Sequence, residues 1–541
     1  YKCRKMWRLA PPELEQEFAP YQSFAARVND SLSSAPAAKL TVYRSGLYGV
    51  SAAEMKAAGI DVAKLSPARL SLYHNGRQIP IFLEESSGQF FDTGGKFYFY
   101  APPTPEPVIH DTYWLLYSED ASSTGALRIK REVVTSEREV KGDIFNADQR
   151  TSFFPFVNYF HKLPTPHFNG NWFWDEIRRG EFRYYHREIL APDTDAKEYT
   201  LQVHVAGPQL RMKNYCEVYW NQMYLGTCDW TGSQNYTFTQ KLPIATLKDG
   251  ENELALYIPL RAEKEQSPHI NFIGFEVDYT ARLSNDHAPF SFTVPAPEQP
   301  GWHRLWFSQP PMQSYFLFDV TDDYNPRLYT VHTSLHPERK EYNYSTLVDI
   351  PSERRLILGS WAKAESVGKI TPVNPLNLLD GEEGDYVIIS HHELMDAMKP
   401  FVAIKEKKGF KPLLVDVDDI YDSFSFGAKD FNAIKRFFRF RYYQAKGALL
   451  RYGLLVGETS DYVGDPANMP KGVFMDMVPV YNLGTPFTNI HSDSEYALIC
   501  GNDDIPDFSL GRFPARTAEE VADLIAKAES YEGRLPAGEW R

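Results

Sequence analysis

Residues 385–417 read DYVIISHHELMDAMKPFVAIKEKKGFKPLLVDV, and this stretch decides the fold of the last third of the chain. Tyr386–Ser390 is an uninterrupted apolar run of strand length. Leu394, Met398, Phe401 and Ile404 follow at the spacing of one helical face, and Gly409 supplies the stop. Leu413–Val417 is a second buried strand. Further on, Phe431–Tyr443 carries its aromatic residues on one helical stripe, and Leu454–Gly457 is a third strand. Val478–Tyr481 and Tyr496–Cys500 read as further strands. Thr517 with Glu520 is a capping box for a helix that runs to about Ser530. Strands that alternate with helices predict a parallel, doubly wound sheet over residues 385–541.

Upstream the period shortens and strands dominate. Residues 1–35 carry Pro11, Pro12 and Pro20 and read as an irregular arm or an incomplete first strand. Residues 36–130 read as a small β-rich domain. In it, Ser51 and Glu54 form a capping box before a short helix that ends near Gly59. His74-Asn75-Gly76 makes the turn between two strands, because Asn-Gly suits positive φ. Residues 131–285 alternate apolar and polar and predict a jelly-roll-like β-sandwich. Within it, Cys216–Trp220 and Tyr224–Cys228 flank a short turn, and the index sums of Trp220–Tyr224 and Cys216–Cys228 are equal. The two cysteines are therefore expected to face each other across a hairpin, within disulfide reach. A Cys216–Cys228 disulfide would imply an oxidising compartment, and two buried thiols are the alternative. Residues 286–384 read as a β module or linker, Pro-rich at first. The fold class is thus multidomain, with β-rich modules first and an α/β half-domain last.

Composition bounds the function. With 541 residues, three or four domains are expected. The hydrophobic fraction of 43% and charged fraction of 24% belong to a globular chain. The 57 Lys and Arg against 71 Asp and Glu leave a net charge of −14. That balance argues against nucleic acid or an anionic membrane as partner, since both recruit Lys and Arg. No run of about 18 apolar residues predicts a transmembrane helix. The chain opens on Tyr1 rather than Met, so an upstream piece is expected, either a removed signal peptide or a trimmed segment. Aromatic residues make up 14%, and sandwich aromatics such as Trp220 and Trp230 could stack on sugar rings, although strand aromatics are more often core. Asn235 and Asn343 head formal glycosylation sequons.

In a parallel sheet, chemistry is expected beyond the carboxyl ends of the strands. Three groups are read there: His391-His392, the run Gly457–Asp461, and Gly501–Asp504 with Asp507. Cys500 could act as a nucleophile with either histidine as its base, but a small buried strand residue and a polar helix start are the favoured readings. Glu458, Asp461, Asp503, Asp504 and Asp507 are hard oxygen donors suited to calcium, although their spacing fits no EF-hand loop. Turn-forming carboxylates are the simpler account. G-x-S-x-G, H-E-x-x-H and Walker A patterns are absent from the sequence.

The segments DYVIISHHELMDAMKPFVAIKEKKGFKPLLVDVDDIYDSFS, YGLLVGETSDY and GNDDIPDFSLGRFPARTAEEVADLIAKAESYE together resemble the gingipain family of secreted bacterial cysteine endopeptidases, which includes sortase-like members of a secretion system. Asp503, Asp504, Pro506, Asp507, Gly511, Arg512, Pro514 and Ala515 fit the family's D-x-P-D-x-x-x-G-R-x-P-A stretch. The upstream segments LTVYRSGLYGVSAAEMKAAGI and LSLYHNGRQIPIFL also resemble the β regions that precede such a domain. The resemblance implies a caspase-like fold and a His–Cys dyad in the second half of the peptidase domain. The family's catalytic histidine sits in a His-Gly pair, and none occurs here. The position of Cys500 is not catalytic in the family. No catalytic residue is therefore carried over to this chain, and the catalytic half is expected downstream of Arg541. Family members can bind calcium, and no other cofactor is implied.

The expected function is the N-terminal part of a secreted cysteine endopeptidase, inactive alone, acting with a protein or peptide substrate outside the cell, on the bacterial surface or in the periplasm. A cell-surface glycan or a secretion-system component would be a further partner. The alternative is a non-catalytic surface protein that binds glycan or protein on a degenerate peptidase scaffold.

Overall fold

The computed structural model describes residues 13–84, 95–103, 111–117, 126–132, 138–153, 175–209, 211–260, 266–283, 290–308, 315–379, 383–444, 449–460, 476–484, 489–501 and 503–533.

The arm expected at the start contains a helix, Glu13–Ser34. Leu14, Phe18, Phe24, Ala25 and Val28 recur on one face and are buried. Pro20 removes one backbone donor inside it, a cost of about 3 kcal/mol in an exposed helix. Burial of the apolar stripe offsets that cost, which is why the proline count misled.

The following module holds two small sheets. Strands Ala38–Val42, Leu70–His74, Arg77–Ile79 and Asp111–Tyr117 form the first, and Lys369–Pro372 returns to pair with Ala38–Val42. Gly46–Ser51, Phe82–Leu83 and Lys96–Ala101 form the second, with Glu365–Ser366 beside them. The Ser51–Glu54 capping box is present. Asn75 and Gly76 take φ of 49° and 72°, as a tight Asn-Gly turn requires.

The sandwich packs Phe182–Ile189, Gly250–Tyr257, Lys213–Trp220 and Met223–Thr231 over a sheet that contains Asn235–Pro243, Glu198–Ala206 and His269–Arg282. That second sheet does not stop at residue 285. It continues through Asn146–Phe153 into Phe290–Val294, Arg354–Gly359, Phe316–Asp319, Arg327–Thr330 and Lys130–Glu132. A boundary placed at 285/286 therefore cuts a continuous hydrogen-bonded ladder, and pairing of Lys130–Glu132 with Arg327–Thr330 crosses the one placed at 130/131. Such long-range pairing leaves no local mark in composition.

The last unit is a four-stranded parallel sheet in the order Pro412–Asp416, Tyr386–Ser390, Tyr452–Val456, Ser509–Phe513. Both faces are covered, as parallel sheets require. Ile388, Leu454 and Val456 pack with the helices Met395–Lys407 and Ala518–Gly533. Val387, Ile389, Val415 and Leu455 pack on the other side with Val417–Phe424, Phe431–Gln444 and the N-terminal helix. Two strands were misplaced. Val478–Tyr481 is irregular, and in Tyr496–Cys500 only Tyr496 and Ala497 belong to an element, the end of the 3-10 turn Asp493–Ala497. Its apolar run anchors a loop: Tyr496 is fully buried, and its hydroxyl donates to the Pro479 carbonyl at 2.9 Å. The fourth strand is Ser509–Phe513, whose Gly-Arg centre hides its strand character.

Candidate functional site at the carboxyl edge of the parallel sheet

The strands Tyr386–Ser390, Pro412–Asp416 and Tyr452–Val456 end side by side. The His391 backbone N–H donates to the Val456 carbonyl at 3.1 Å, which fixes the two histidines at this edge. His391 Nδ1 accepts the Glu393 N–H at 3.4 Å and caps a short 3-10 turn. Burial, helped by the neighbouring His392, pushes the His391 imidazole below its ordinary value, so it is neutral near pH 7. The two rings lie 4.0 Å apart. From the adjacent strand, Asp416 caps the helix Val417–Phe424 by accepting the Asp418 N–H at 3.0 Å. Burial, reinforced by the charges of Asp418 and Asp419, pushes Asp416 up to about 6. His392 Nδ1 lies 3.4 Å from Asp418 Oδ2. On the third strand end, Glu458 is half-buried, and the Ser460 N–H donates to Asp476 at 3.2 Å.

One arginine ties this edge together. Arg512 donates to the carbonyls of Gly457 and Val478 at 2.8 Å and Pro479 at 3.1 Å, and it grips both oxygens of Asp493 at 2.7 Å. A planar fork with five donors is needed to reach four partners in this way. The sequence motif contained Arg512, but only the folded chain shows that it closes the loop after the third strand against the 3-10 turn.

Cys500 is at the opposite edge. Its N–H donates to Asp507 Oδ2 at 2.8 Å, and Asp507 lies two residues before the amino end of the fourth strand. Ser509 pairs with Tyr452, where the third strand begins. Five residues of strand, roughly 16 Å, separate that edge from His391 and His392. A dyad between Cys500 and either histidine is not assembled, in line with the favoured reading of these residues, and Cys500 sits at the amino edge because Tyr496–Cys500 is not a strand of the sheet. A cavity of about 500 Å³ opens at this amino edge, lined in part by Tyr442, Arg451, Tyr452, Asp507 and Phe508.

The same separation breaks the calcium set. Asp507 uses Oδ2 on the N–H groups of Ile499 and Cys500, and Asp503 accepts the Ile505 N–H. Asp503 and Asp504 are exposed at the amino edge, whereas Glu458 is at the carboxyl edge. Asp461 lies outside the described residues. These residues do not fit one calcium site. Among the described residues, the group whose ligand atoms lie within 4.8 Å of one another is His392, Asp416 and Asp418. Helix capping and the His392–Asp418 contact account for its geometry.

The other cysteines lie in the sandwich. Cys216 pairs with Cys228 in register, and both are fully buried. The turn is tighter than expected. Asn221 and Gln222 take positive φ, Trp220 pairs with Met223, and a bulge between Val218 and Tyr219 restores the cysteine register. The structure holds the pair as two free buried thiols in hydrogen-bond contact, the second of the two alternatives read from the sequence. That contact and burial push the Cys216 thiol well up. Trp220 and Trp230 are core, not sugar platforms.

The sequence model of Peptidase family C25 matches residues 380–541. The gingipain resemblance is therefore shown for the parallel-sheet unit. Gingipain R1 of Porphyromonas gingivalis is 27% identical over 168 residues, which are 31% of this chain and 14% of that protein. The solved structure of dimeric latent PorU from Porphyromonas gingivalis superposes with a TM-score of 0.64 over 95% of this chain and 51% of that one. At 16% identity this likeness speaks to the fold alone, and it extends from the C25 segment through the β modules. The chain thus spans about half of the PorU chain and about one seventh of gingipain R1. No described helix is long and apolar enough to cross a membrane.

Proposed function

We propose that this chain is the scaffold half of a secreted, C25-type cysteine endopeptidase with a caspase-like fold, and that it does not hydrolyse peptides by itself. The observation that carries the reading is the placement of Cys500 and the His391–His392 pair at opposite edges of one sheet. Cysteine peptidases need thiolate, imidazole and oxyanion donors within hydrogen-bond reach. Cys216 and Cys228 are sealed in the sandwich core. On this reading the carboxyl edge, with His391, Asp416, Glu458 and the Arg512 clamp, is the wall beside which a second half-domain places its dyad, and the substrate is a protein or peptide outside the cell. The test is incubation of the 541-residue chain with a peptide carrying a thiol-reactive group, alongside a mixed-sequence peptide substrate. No turnover and no selective labelling are expected. Stoichiometric labelling that disappears in Cys500→Ser would contradict the proposal.

A further inference from the structure

We propose that the outer face of the sheet Phe182–Ile189, Gly250–Tyr257, Lys213–Trp220 and Met223–Thr231 is a binding site for a neutral glycan; the inference is independent of the peptidase reading. Strand alternation sends Cys216, Val218 and Trp220 into the core and Tyr219 outward. The same alternation on the neighbouring strands sets out Phe182, Tyr184, Tyr224 and Tyr257 on this side. Phe182, Tyr184 and Tyr224 are 42%, 55% and 54% exposed, so these aromatics are in water rather than in the core. Stripping water from such rings is favourable, and a cluster of them on one face is a recognition feature rather than scatter.

The rings are ordered. Phe182 lies 4.2 Å from Tyr257 at 12°, and Tyr184 stacks on Phe182 at 5.9 Å and 14°. Tyr219 leans on Tyr224 at 5.4 Å. Phe182 also reaches Tyr219, 5.8 Å between ring centres, so the five rings form one continuous cluster around Ala255, the cross-strand partner of both Tyr184 and Tyr219. The small Ala255 side chain is buried, so the rings form a platform rather than the walls of an open trough. Two strand spacings put the backbones of Tyr184 and Tyr219 roughly 10 Å apart, about the span of two linked pyranose rings.

Charge selects the occupant. Glu217, Glu251 and Glu253 share the strand phase of the rings. His186 lies 3.6 Å from Glu251 and 3.9 Å from Glu253, whereas Arg183 has the opposite strand phase, that of the buried Tyr185. Glu217, which accepts the Tyr219 hydroxyl at 2.7 Å, stands opposite Tyr257. The face therefore combines electron-rich ring faces with carboxylate acceptors. That field repels an anionic chain and complements a neutral sugar, whose C–H faces stack and whose hydroxyls donate. Tyrosine hydroxyls supply further hydrogen bonds at the rim.

The test is a printed array of neutral and anionic glycans, probed with the 541-residue chain, with Tyr184→Ala/Tyr224→Ala and with Tyr531→Ala. Tyr531 is 61% exposed on the last helix and controls for loss of any surface tyrosine. Circular dichroism checks that each variant is folded. The chain is expected to bind at least one neutral pyranose glycan, about tenfold more tightly than the double variant and equally with Tyr531→Ala. The proposal is overturned by a silent neutral set, by signal confined to sulfated or carboxylated glycans, or by undiminished binding in the double variant.

Discussion

The sandwich and the C25 segment differ in who owns their cores. Among the described residues, the sandwich core is drawn from residues 177–281. The main core of the parallel-sheet unit also takes in Leu14, Phe18, Phe24 and Val28 from the first helix, Tyr73 and Trp114 from the first module, and Val373 and Leu376 from the segment before it. Phe24 packs edge-on against Trp114 at 5.3 Å and against Phe426 at 5.3 Å, so one ring joins three parts of the chain. Polar contacts follow the same seam. The Trp114 indole donates to the Phe426 carbonyl at 2.7 Å, and Lys39 pairs with Asp422 at 2.6 Å. Asn29 makes a two-way clasp with the backbone of Leu376. A family match can therefore mark a stretch of sequence that is not a self-sufficient folding unit. The helix residues that help complete it lie more than 350 positions upstream of the matched segment.

The largest break in this comparison comes from its hinge residue. Phe24→Ala is expected to destabilise the C25 unit by about 3–5 kcal/mol, through lost burial and a cavity. Denaturant unfolding followed separately in each region should show the sandwich midpoint unmoved. Next is Arg512→Lys, which keeps the charge and loses the fork. A loss of about 2–3 kcal/mol is expected, confined to the C25 unit, because several buried carbonyls lose their donor. Smaller again is Lys39→Met. It leaves Asp422 buried and unpaired at the seam, and about 1–3 kcal/mol is expected, below the usual figure for a buried pair because Lys39 is partly exposed.

The smallest effect is a pH slope. Burial holds Asp416 and Asp422 up to about 6, although Lys39 opposes it for Asp422. Between about pH 4 and 6 these two carboxyls keep protons in the folded chain that they have released in the unfolded one, so their contribution to stability falls as pH rises through that window. Asp416→Asn is expected to flatten part of the fall in melts recorded from pH 4 to 6. A steeper slope would put the carboxyl in a different environment. The sandwich transition should show no change from this substitution.

Much of the fold was legible because it is locally written. The strand–helix–strand run at 386–416, the Ser51 capping box and the Asn75-Gly76 turn each depend on a few neighbouring residues. What was hidden depends on partners far away. Pro20 masked a helix that only tertiary burial sustains. The strand at Ser509–Phe513 exists because Tyr452–Val456 lies beside it, not because its Gly-Arg centre favours strand. At the carboxyl edge, His391, His392 and Glu458 were placed correctly by their strands, whereas Asp503, Asp504 and Asp507 moved to the other edge with the misread strand. In the sandwich, the two tryptophans nominated as platforms lie inside, and the phase that faces Cys216 to Cys228 already requires Trp220 to point inward. Read through to the neighbouring strands, that phase leaves the tyrosines outside.

Hydrogen exchange on the intact chain and on Phe18→Ala/Phe24→Ala tests most directly that the C25 segment rests on the N-terminal helix. Protection should drop at Tyr386–Ser390 and Tyr452–Val456 and hold at Glu198–Ala206 and His269–Arg282. Unchanged protection of the parallel strands, or equal losses in both sheets, would contradict the account.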